Sequence, residues 1–349
     1  MKWTKRRIPL SIVIIIAFLL GFEAYTYAVV HFERKAGMPQ NLGNFERIRN
    51  SLKKQEPVER FSFAVIGDVR GLASFERICD ELRDESLSFM AITGGFVNSC
   101  TKGNHDYFQW TFSKRCRLRC PVLLIAGDHD IDYKEMDYDD TKVQLVNFER
   151  MYGPANFYFE YSDCLFVGLC TLPPPFSNRQ SIDFLEATLS GHKKQYRKVF
   201  VFTHMPVVTS DGPVAASFGN AGNFLDVVDR YHVDYVISSQ YHDYEKTIRK
   251  DTVFLTIGGG GSPLDNKEKF NGSRHAVVLT VDGELVSEKI VLAPHSVEIT
   301  NIPKYFAITK LFPILSRHVS FTIAENLVII IIFCVFLWNM VVHRKVVQL

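Results

Sequence analysis

Pro121-Val122-Leu123-Leu124-Ile125-Ala126-Gly127-Asp128-His129-Asp130 is the stretch that decides the fold. An apolar run so rich in valine, leucine and isoleucine, with no polar alternation, is expected for a strand covered on both faces. Glycine frees the backbone where the run stops, and three side chains able to bind metal or move protons follow at once. Open α/β sheets collect ligands at the carboxyl ends of their strands, which makes Asp128, His129 and Asp130 candidates for chemistry. A Gly-Asp step is also an ordinary strand-to-loop turn, so the weight of the reading comes from its recurrence.

It recurs on both sides. Upstream, Phe61-Ser62-Phe63-Ala64-Val65-Ile66 runs into Gly67-Asp68-Val69-Arg70, and Phe89-Met90-Ala91-Ile92 into Thr93-Gly94-Gly95. Downstream, Lys198 to Phe202 ends in Thr203-His204-Met205-Pro206, Val233 to Ile237 ends in Ser238-Ser239-Gln240-Tyr241-His242-Asp243, and Thr252 to Ile257 ends in four glycines, Gly258 to Gly261. Helical spacing predicts helices between them, over Ser74 to Glu85, Phe108 to Arg119, Ser181 to Leu189 and Asn223 to Tyr231. Asn147 to Tyr161 and Leu165 to Leu169 read as a hairpin region and a further strand. A second hairpin is predicted around Asp282-Gly283. Strands alternating with helices imply a layered α/β protein.

Both ends of the chain carry apolar segments. Met1 to Arg7 is basic, Ile8 to Phe22 is uncharged, and Ala24 to Val30 continues the apolar run past Glu23. This pattern predicts an uncleaved signal anchor; a cleaved signal peptide is the competing reading, with Thr26-Tyr27-Ala28 a poor cleavage site. Asn326 to Val342 is again uncharged and is followed by His343-Arg344-Lys345. Basic residues at the outer ends of both segments put both termini in the cytoplasm and the middle of the chain outside it. The expected organisation is a cytoplasmic tip and anchor over 1–30, a stalk over 31–57 holding a short helix within Asn41 to Lys54, and a globular domain over 58–292. A juxtamembrane linker over 293–320, a transmembrane helix over 321–343 and a tail over 344–349 complete it. The apolar residues among basic ones from Tyr305 to Phe321 suit a membrane surface, or a linker packed on the domain. A net charge of +2 argues against a dedicated nucleic-acid binder. Cys334 lies in the C-terminal segment; Cys79, Cys100, Cys116, Cys120, Cys164 and Cys170 lie in the exported part as free or disulfide-bonded thiols. Asn271-Gly272-Ser273 is a glycosylation acceptor in a eukaryotic host.

The five strand exits Ile66-Gly67-Asp68, Ile92 to Gly95, Pro121 to Asp130, Phe202 to Pro206 and Tyr241 to Glu245 resemble the calcineurin-like metallophosphoesterases over roughly residues 61 to 291. The resemblance implies a sandwich of two mixed β-sheets flanked by helices, with one or two divalent transition metals (Mn, Fe or Zn) at the strand ends. Carried over, it makes Asp68, Asp128, His204 and His242 metal ligands and His129 and Asp130 catalytic. Three positions depart from the family pattern: Arg70 stands for a histidine, Gly95 for the aspartate that bridges both metals, and Gln240 for another histidine. Each metal then keeps two ligands, Asp68 with His242 and Asp128 with His204, fewer than the three of a typical catalytic site. The Arg70 guanidinium could pair with Asp68 or Asp128 and fill the site itself. Gly103-Asn104-His105-Asp106 spells the family's third motif without a preceding strand and reads as a decoy, unless His105 or Asp106 folds back towards Gly95. The basic residues Lys102, Lys114, Arg115, Arg117 and Arg119 read as a solvated face, or as an attractor of phosphates.

Two functions follow from these readings. One is a membrane-anchored phosphoester hydrolase with a reduced or rebuilt metal site. The other is a catalytically inactive relative that binds a phosphorylated small molecule, a lipid-linked phosphate or a protein partner at the bilayer.

Overall fold

The computed structural model describes residues 10–70, 74–132, 145–191, 196–209, 212–213, 218–265, 269–294, 299–317 and 319–347. The chain divides into two units, one of residues 38–299 and one of residues 1–37 with 300–349.

The larger unit contains helices α2 (Phe45–Lys53), α3 (Ser74–Leu82), α4 (Lys102–Thr111), α5 (Val146–Tyr152), α6 (Arg179–Gly191) and α7 (Ala221–Arg230), since α1 (Leu10–Ala36) belongs to the other. Its strands are β1 (Arg60–Ile66), β2 (Leu87–Ile92), β3 (Val122–Leu124), β4 (Phe157–Tyr161), β5 (Cys164–Gly168), β6 (Lys198–Phe202), β7 (Val208–Thr209), β8 (Gly212–Pro213), β9 (Tyr235–Ser238), β10 (Tyr244–Arg249), β11 (Thr252–Ile257), β12 (Arg274–Asp282) and β13 (Leu285–Ala293). They form a sheet in the order β13-β12-β1-β2-β3, a second in the order β10-β11-β9-β6-β5-β4, and a small β7-β8 ribbon. Both large sheets are mixed. β1, β2 and β3 run parallel while β12 pairs antiparallel with β1; in the second sheet β5, β6, β9 and β11 run parallel between antiparallel edge strands.

The unbroken apolar runs have a direct packing cause. Along β1, Phe61, Phe63 and Val65 face the layer between the sheets, whereas Ala64 and Ile66 face the helices outside. Neither face of such a strand meets water, so neither takes a polar side chain. Aromatic rings fill the inter-sheet layer: Phe63 stacks on Phe89 at 4.9 Å and meets Phe166 edge-on at 5.4 Å. Outside, α3 and α4 cover the first sheet, and α6 and α7 cover the second. The two mixed sheets flanked by helices are the architecture that the sequence implied.

Three expectations need correction. Residues 38–57 are part of the folded unit, not a stalk. Leu42 is fully buried, and the Asn41 side-chain amide donates to the carbonyls of Leu118 and Cys120 at 2.8 and 3.0 Å. α2 adds Phe45, Ile48 and Leu52 to the inter-sheet core; in sequence its charged outer face hid this apolar one. The hairpin expected from Asn147 is preceded by α5 and consists of β4 and β5 alone. The helix expected from Phe108 begins instead at Lys102, where Thr101 caps it, and its last turn widens into a π-helix over Phe112–Cys116. All seven cysteines are free thiols.

The smaller unit holds α1, α8 (Ile302–Phe306), a π-helical turn at Ala307–Leu311, α9 (Phe312–Arg317) and α10 (Val319–Val347). Within α1, Ser11–Phe32 is long and apolar enough to cross a membrane, about 33 Å at the helical rise. Among the described residues no other single helix qualifies; residues 322–335 do so only together with residues 299–317, which meet them at 97°. α10 contains the whole of the predicted 321–343 segment. Met1 to Arg7 and the last two residues of the predicted tail lie outside the described residues.

Candidate functional site

The carboxyl ends of β1, β2 and β3 in one sheet and of β6, β9 and β11 in the other meet along one edge of the sandwich. Backbone hydrogen bonds tie the exits together, from Asp68 N–H to Gly94, Arg70 N–H to Gly95, Ser239 N–H to His204 and Gly260 N–H to Gly67. Glycine is required here by space. A Cβ on Gly67 would lie 2.2 Å from that of Ser239, and one on Gly260 would lie 2.5 Å from the Gly67 carbonyl oxygen. The four-glycine run is therefore a backbone turn against the site.

One cluster forms around Asp68, which is fully buried. Its Oδ2 accepts from the Gln240 N–H at 2.9 Å. Its Oδ1 has no hydrogen-bond partner and lies 3.7 Å from Arg70 Nη2 and 3.6 Å from His242 Nε2. Arg70 is held at two further points: Nε donates to Ser262 Oγ at 2.8 Å, and Nη2 lies 3.2 Å from His242 Nε2. A guanidinium only donates, so the imidazole nitrogen accepts. The cation thus lies against both side chains that would share a metal.

The other cluster forms around His204, also fully buried and walled by glycine: a Cβ on Gly94 or Gly127 would lie 2.4 or 2.7 Å from the ring. Nδ1 lies 2.8 Å from the Thr93 carbonyl oxygen and 2.9 Å from Ser239 Oγ, which itself donates to the same carbonyl. Nε2 lies 3.1 Å from Asp128 Oδ1. Both nitrogens face oxygen acceptors, so both carry protons. Burial alone would discharge the ring, but the hydrogen bond to Asp128 and the charges of Asp68, Asp128 and Asp130 raise it to about 9. Burial likewise opposes ionisation of Asp128, and the hydrogen bond and charge of His204, with His129 and Arg70, bring it down to about 2.

Asp130 is not a catalytic group in this arrangement. It is fully buried, with Oδ2 accepting from the N–H groups of Gly95 and Gly127 and Oδ1 from those of Phe96 and Val97. Burial pushes its carboxyl up to about 7, against the charge of His204 and these backbone donors. It fixes the loops and touches nothing a substrate could reach. His129 is half-buried, with Nδ1 2.8 Å from the Asn98 carbonyl oxygen. Gln240 contributes its backbone; its Oε1 is buried without a partner.

The metal pair implied by the resemblance does not fit these residues. Among the described residues no group of three or more His, Cys, Asp or Glu side chains converges to hold an ion. Arg70 crowds Asp68 and His242, its Nη2 lying 3.7 Å from the one and 3.2 Å from the other. Gly95 supplies no bridging carboxylate, and a Cβ there would lie 2.3 Å from Asp68 Oδ1, so Asp68 has taken that room. Neither substitute from the third-motif decoy reaches the gap. His105 Nδ1 pairs with the Tyr152 hydroxyl at 3.0 Å, and Asp106 binds Lys102 at 2.7 Å. Lys114, Arg115, Arg117 and Arg119 are exposed, as a solvated face requires.

Sequence reasoning brought Asp68, Arg70, Asp128, His204 and His242 to this edge. It placed Ser239 only as a replacement for the family's glycine, and it gave no role to Ser262 or the Thr93 carbonyl, which with Ser239 complete both clusters. The available signal was a serine at two of the exits, Ser239 just past the end of β9 and Ser262 directly after the four glycines.

Residues 61–244 match the family described as calcineurin-like phosphoesterase. A probable cyclic nucleotide phosphodiesterase of Moraxella catarrhalis is 22% identical over 196 residues, which is 50% of this chain and 67% of that protein. Among solved structures, the anchor in the inner membrane complex of Plasmodium aligns over 72% of this chain and 96% of its own, with a TM-score of 0.52 and 15% identity. A purple acid phosphatase from yellow lupin seeds aligns over 70% of this chain and 55% of its own, with a TM-score of 0.52 and 14% identity. At such identities the structures speak for the fold alone. The family match runs from β1 to the first residue of β10, through the strand ends that carry Asp68, Asp128, His204 and His242, and the chain belongs to the calcineurin-like phosphoesterase family.

Proposed function

We propose that this chain is a membrane-tethered member of the family that binds a ligand or partner at its strand ends instead of hydrolysing a phosphoester there. The family is metal-dependent, typically with Mn, Fe or Zn. One observation carries the reading: the Arg70 guanidinium is fixed by Asp68, His242 and Ser262 where a metal would need an open position. Hydrolysis in such enzymes needs a metal-activated water and charge neutralisation at the phosphoryl oxygens, and a tethered guanidinium cannot activate water in this way. The occupant of the face is a phosphorylated small molecule, a lipid-linked phosphate or a protein partner.

The tether is the Ser11–Phe32 span, with α10 as a second pass and both termini cytoplasmic. In favour of the second pass, the Asn326 amide of α10 donates to the Glu23 carboxylate of α1 at 2.6 Å. A polar pair joining two apolar helices answers the cost of a lone carboxyl at membrane depth.

The retained, half-buried His129 favours a second reading, a hydrolase acting like the Moraxella relative. The test is elemental analysis of the full chain, purified in detergent and dialysed against Mn, Fe and Zn, alongside phosphate release from bis(4-nitrophenyl) phosphate and cyclic AMP. No bound metal and no release are expected. One or two bound ions with release that His129→Ala abolishes would establish the hydrolase instead.

A further inference from the structure

We infer that Arg274 anchors an anion site at the strand-end edge, on the helix side of the first sheet, and that the group it takes is the phosphoryl group of a small molecule or of a lipid. The inference rests on the proposed binding role and deepens it, selecting the phosphorylated occupants over a protein partner.

The placement follows from register. β12 runs antiparallel to β1, with Val277 opposite Val65, so β12 starts at the end where β1 delivers Asp68 and Arg70. The glycine turn joins the two strands there: Gly260 N–H donates to the Gly67 carbonyl, and His275 N–H to that of Gly259. Side chains alternate between the two faces along β12. His275 turns inward, its ring 6.2 Å from that of Tyr244, and Val277 and Leu279 line the inter-sheet layer. Arg274 therefore shares the outer face with Ala276 and Val278, which pack in the apolar layer under α3.

That layer is a costly place for a cation. Arg274 is 6% exposed, and Ala293, opposite it on β13, is fully buried. Its Nε has no hydrogen-bond partner among the described residues. Burial lowers its pKa, and no neighbouring carboxylate raises it again. Glu76 of α3 is buried too, but its charge is not among those acting on this guanidinium. Groups buried so deeply are as a rule paired. Of the two arginines at this edge, Arg70 is satisfied within the chain by Ser262 and His242 beside Asp68, and Arg274 is not. An anion from outside the chain is what completes it.

The chemistry of the group narrows the ligand. A guanidinium presents its donors as a planar fork that fits the paired oxygens of a carboxylate or a phosphate. A phosphoryl group brings three acceptor oxygens and about two negative charges, more of both than a carboxylate. It also stands at the tip of a small molecule or a lipid headgroup, and the small exposed part of Arg274 admits a tip more readily than the flank of a protein.

The test is equilibrium dialysis of the full chain in detergent against radiolabelled inorganic phosphate. Arg274→Met keeps an unbranched side chain without its charge, and Arg274→Lys keeps the charge without the fork. The wild type should bind phosphate, Arg274→Lys should bind it more weakly, and Arg274→Met should lose at least about tenfold in affinity. Because an unpaired buried charge stabilises nothing, phosphate-free Arg274→Met should melt no lower than the wild type; a clearly lower melting temperature would show a structural role and overturn the inference. Competition assigns the source within it. Displacement of the label by glycerol phosphate supports a free ligand, and displacement by bicelles containing phosphatidic acid instead supports a lipid-borne one. Succinate competing as well as glycerol phosphate would overturn the phosphoryl assignment. Equal phosphate binding by Arg274→Met would overturn the inference and leave the binding role standing. No binding by the wild type would also overturn it, and bound metal with phosphoester release in the same preparation would overturn the binding role as well.

Discussion

His204 and Asp128 close upon each other at one end of the candidate site, 3.1 Å apart. Each holds the other ionised against burial, so their contribution to stability has two limits. Asp128 is lowered, and its share is present above 3.8 and fades as pH falls through about 2. His204 is raised, and its share is complete below 6.5 and is lost as pH rises through about 9. The pair therefore acts in full between roughly pH 4 and 6.5. The melting temperature of the chain in detergent should fall by several degrees from pH 6.5 to 9.5, and His204→Gln should remove most of that decline; an equal slope in the variant would exclude this pair as its source. Which residues meet here was legible from strand exits, because each motif residue is fixed to the end of its own strand. What they do was less so. The role of Asp130 depends on four backbone N–H groups from two loops, and sequence alone gives backbone groups no address.

At the scale of elements, the strands were easy to read and the surface helices were not. β1 and β2 are apolar on both faces because each lies between two cores, and that pattern survives without knowing the partner strands. β3 is shorter than its apolar run: Ile125 keeps one bond to the Ile92 carbonyl of β2, and it and Ala126 lead into the site while remaining buried. α2 carries charges at Glu46, Arg47, Arg49 and Lys53, and its apolar stripe is only three residues. A stripe so narrow reads as a stalk until the open edge of the inter-sheet layer is seen. Burial of Phe45, Ile48 and Leu52 contributes about 2 kcal/mol each. A fragment of residues 38–299 should therefore resist proteolysis and unfold cooperatively in urea. One beginning at residue 58, the boundary expected from sequence, should be less stable by several kcal/mol or fail to fold. Equal urea midpoints for the two would show that α2 is dispensable.

For the whole molecule, orientation is the property to test first. If the unit holding both sheets is exported, Asn271, which is exposed, sits in a glycosylation acceptor on the lumenal side. Expression of the full chain in a eukaryotic cell should give a product whose gel mobility shifts on endoglycosidase treatment, and Asn271→Gln should abolish the shift. A product insensitive to the enzyme would count against export of this unit and against the proposed topology. Export of this unit would also give Arg70 a wider meaning. A metal centre depends on supply: chelators strip it, scarcity empties it, and a competing ion can spoil it. Arg70 is delivered by translation, one per chain, and cannot be traded away. On the proposed reading the strand-end face is the same in a metal-poor compartment as in a metal-rich one, and it is ready as soon as the chain has folded.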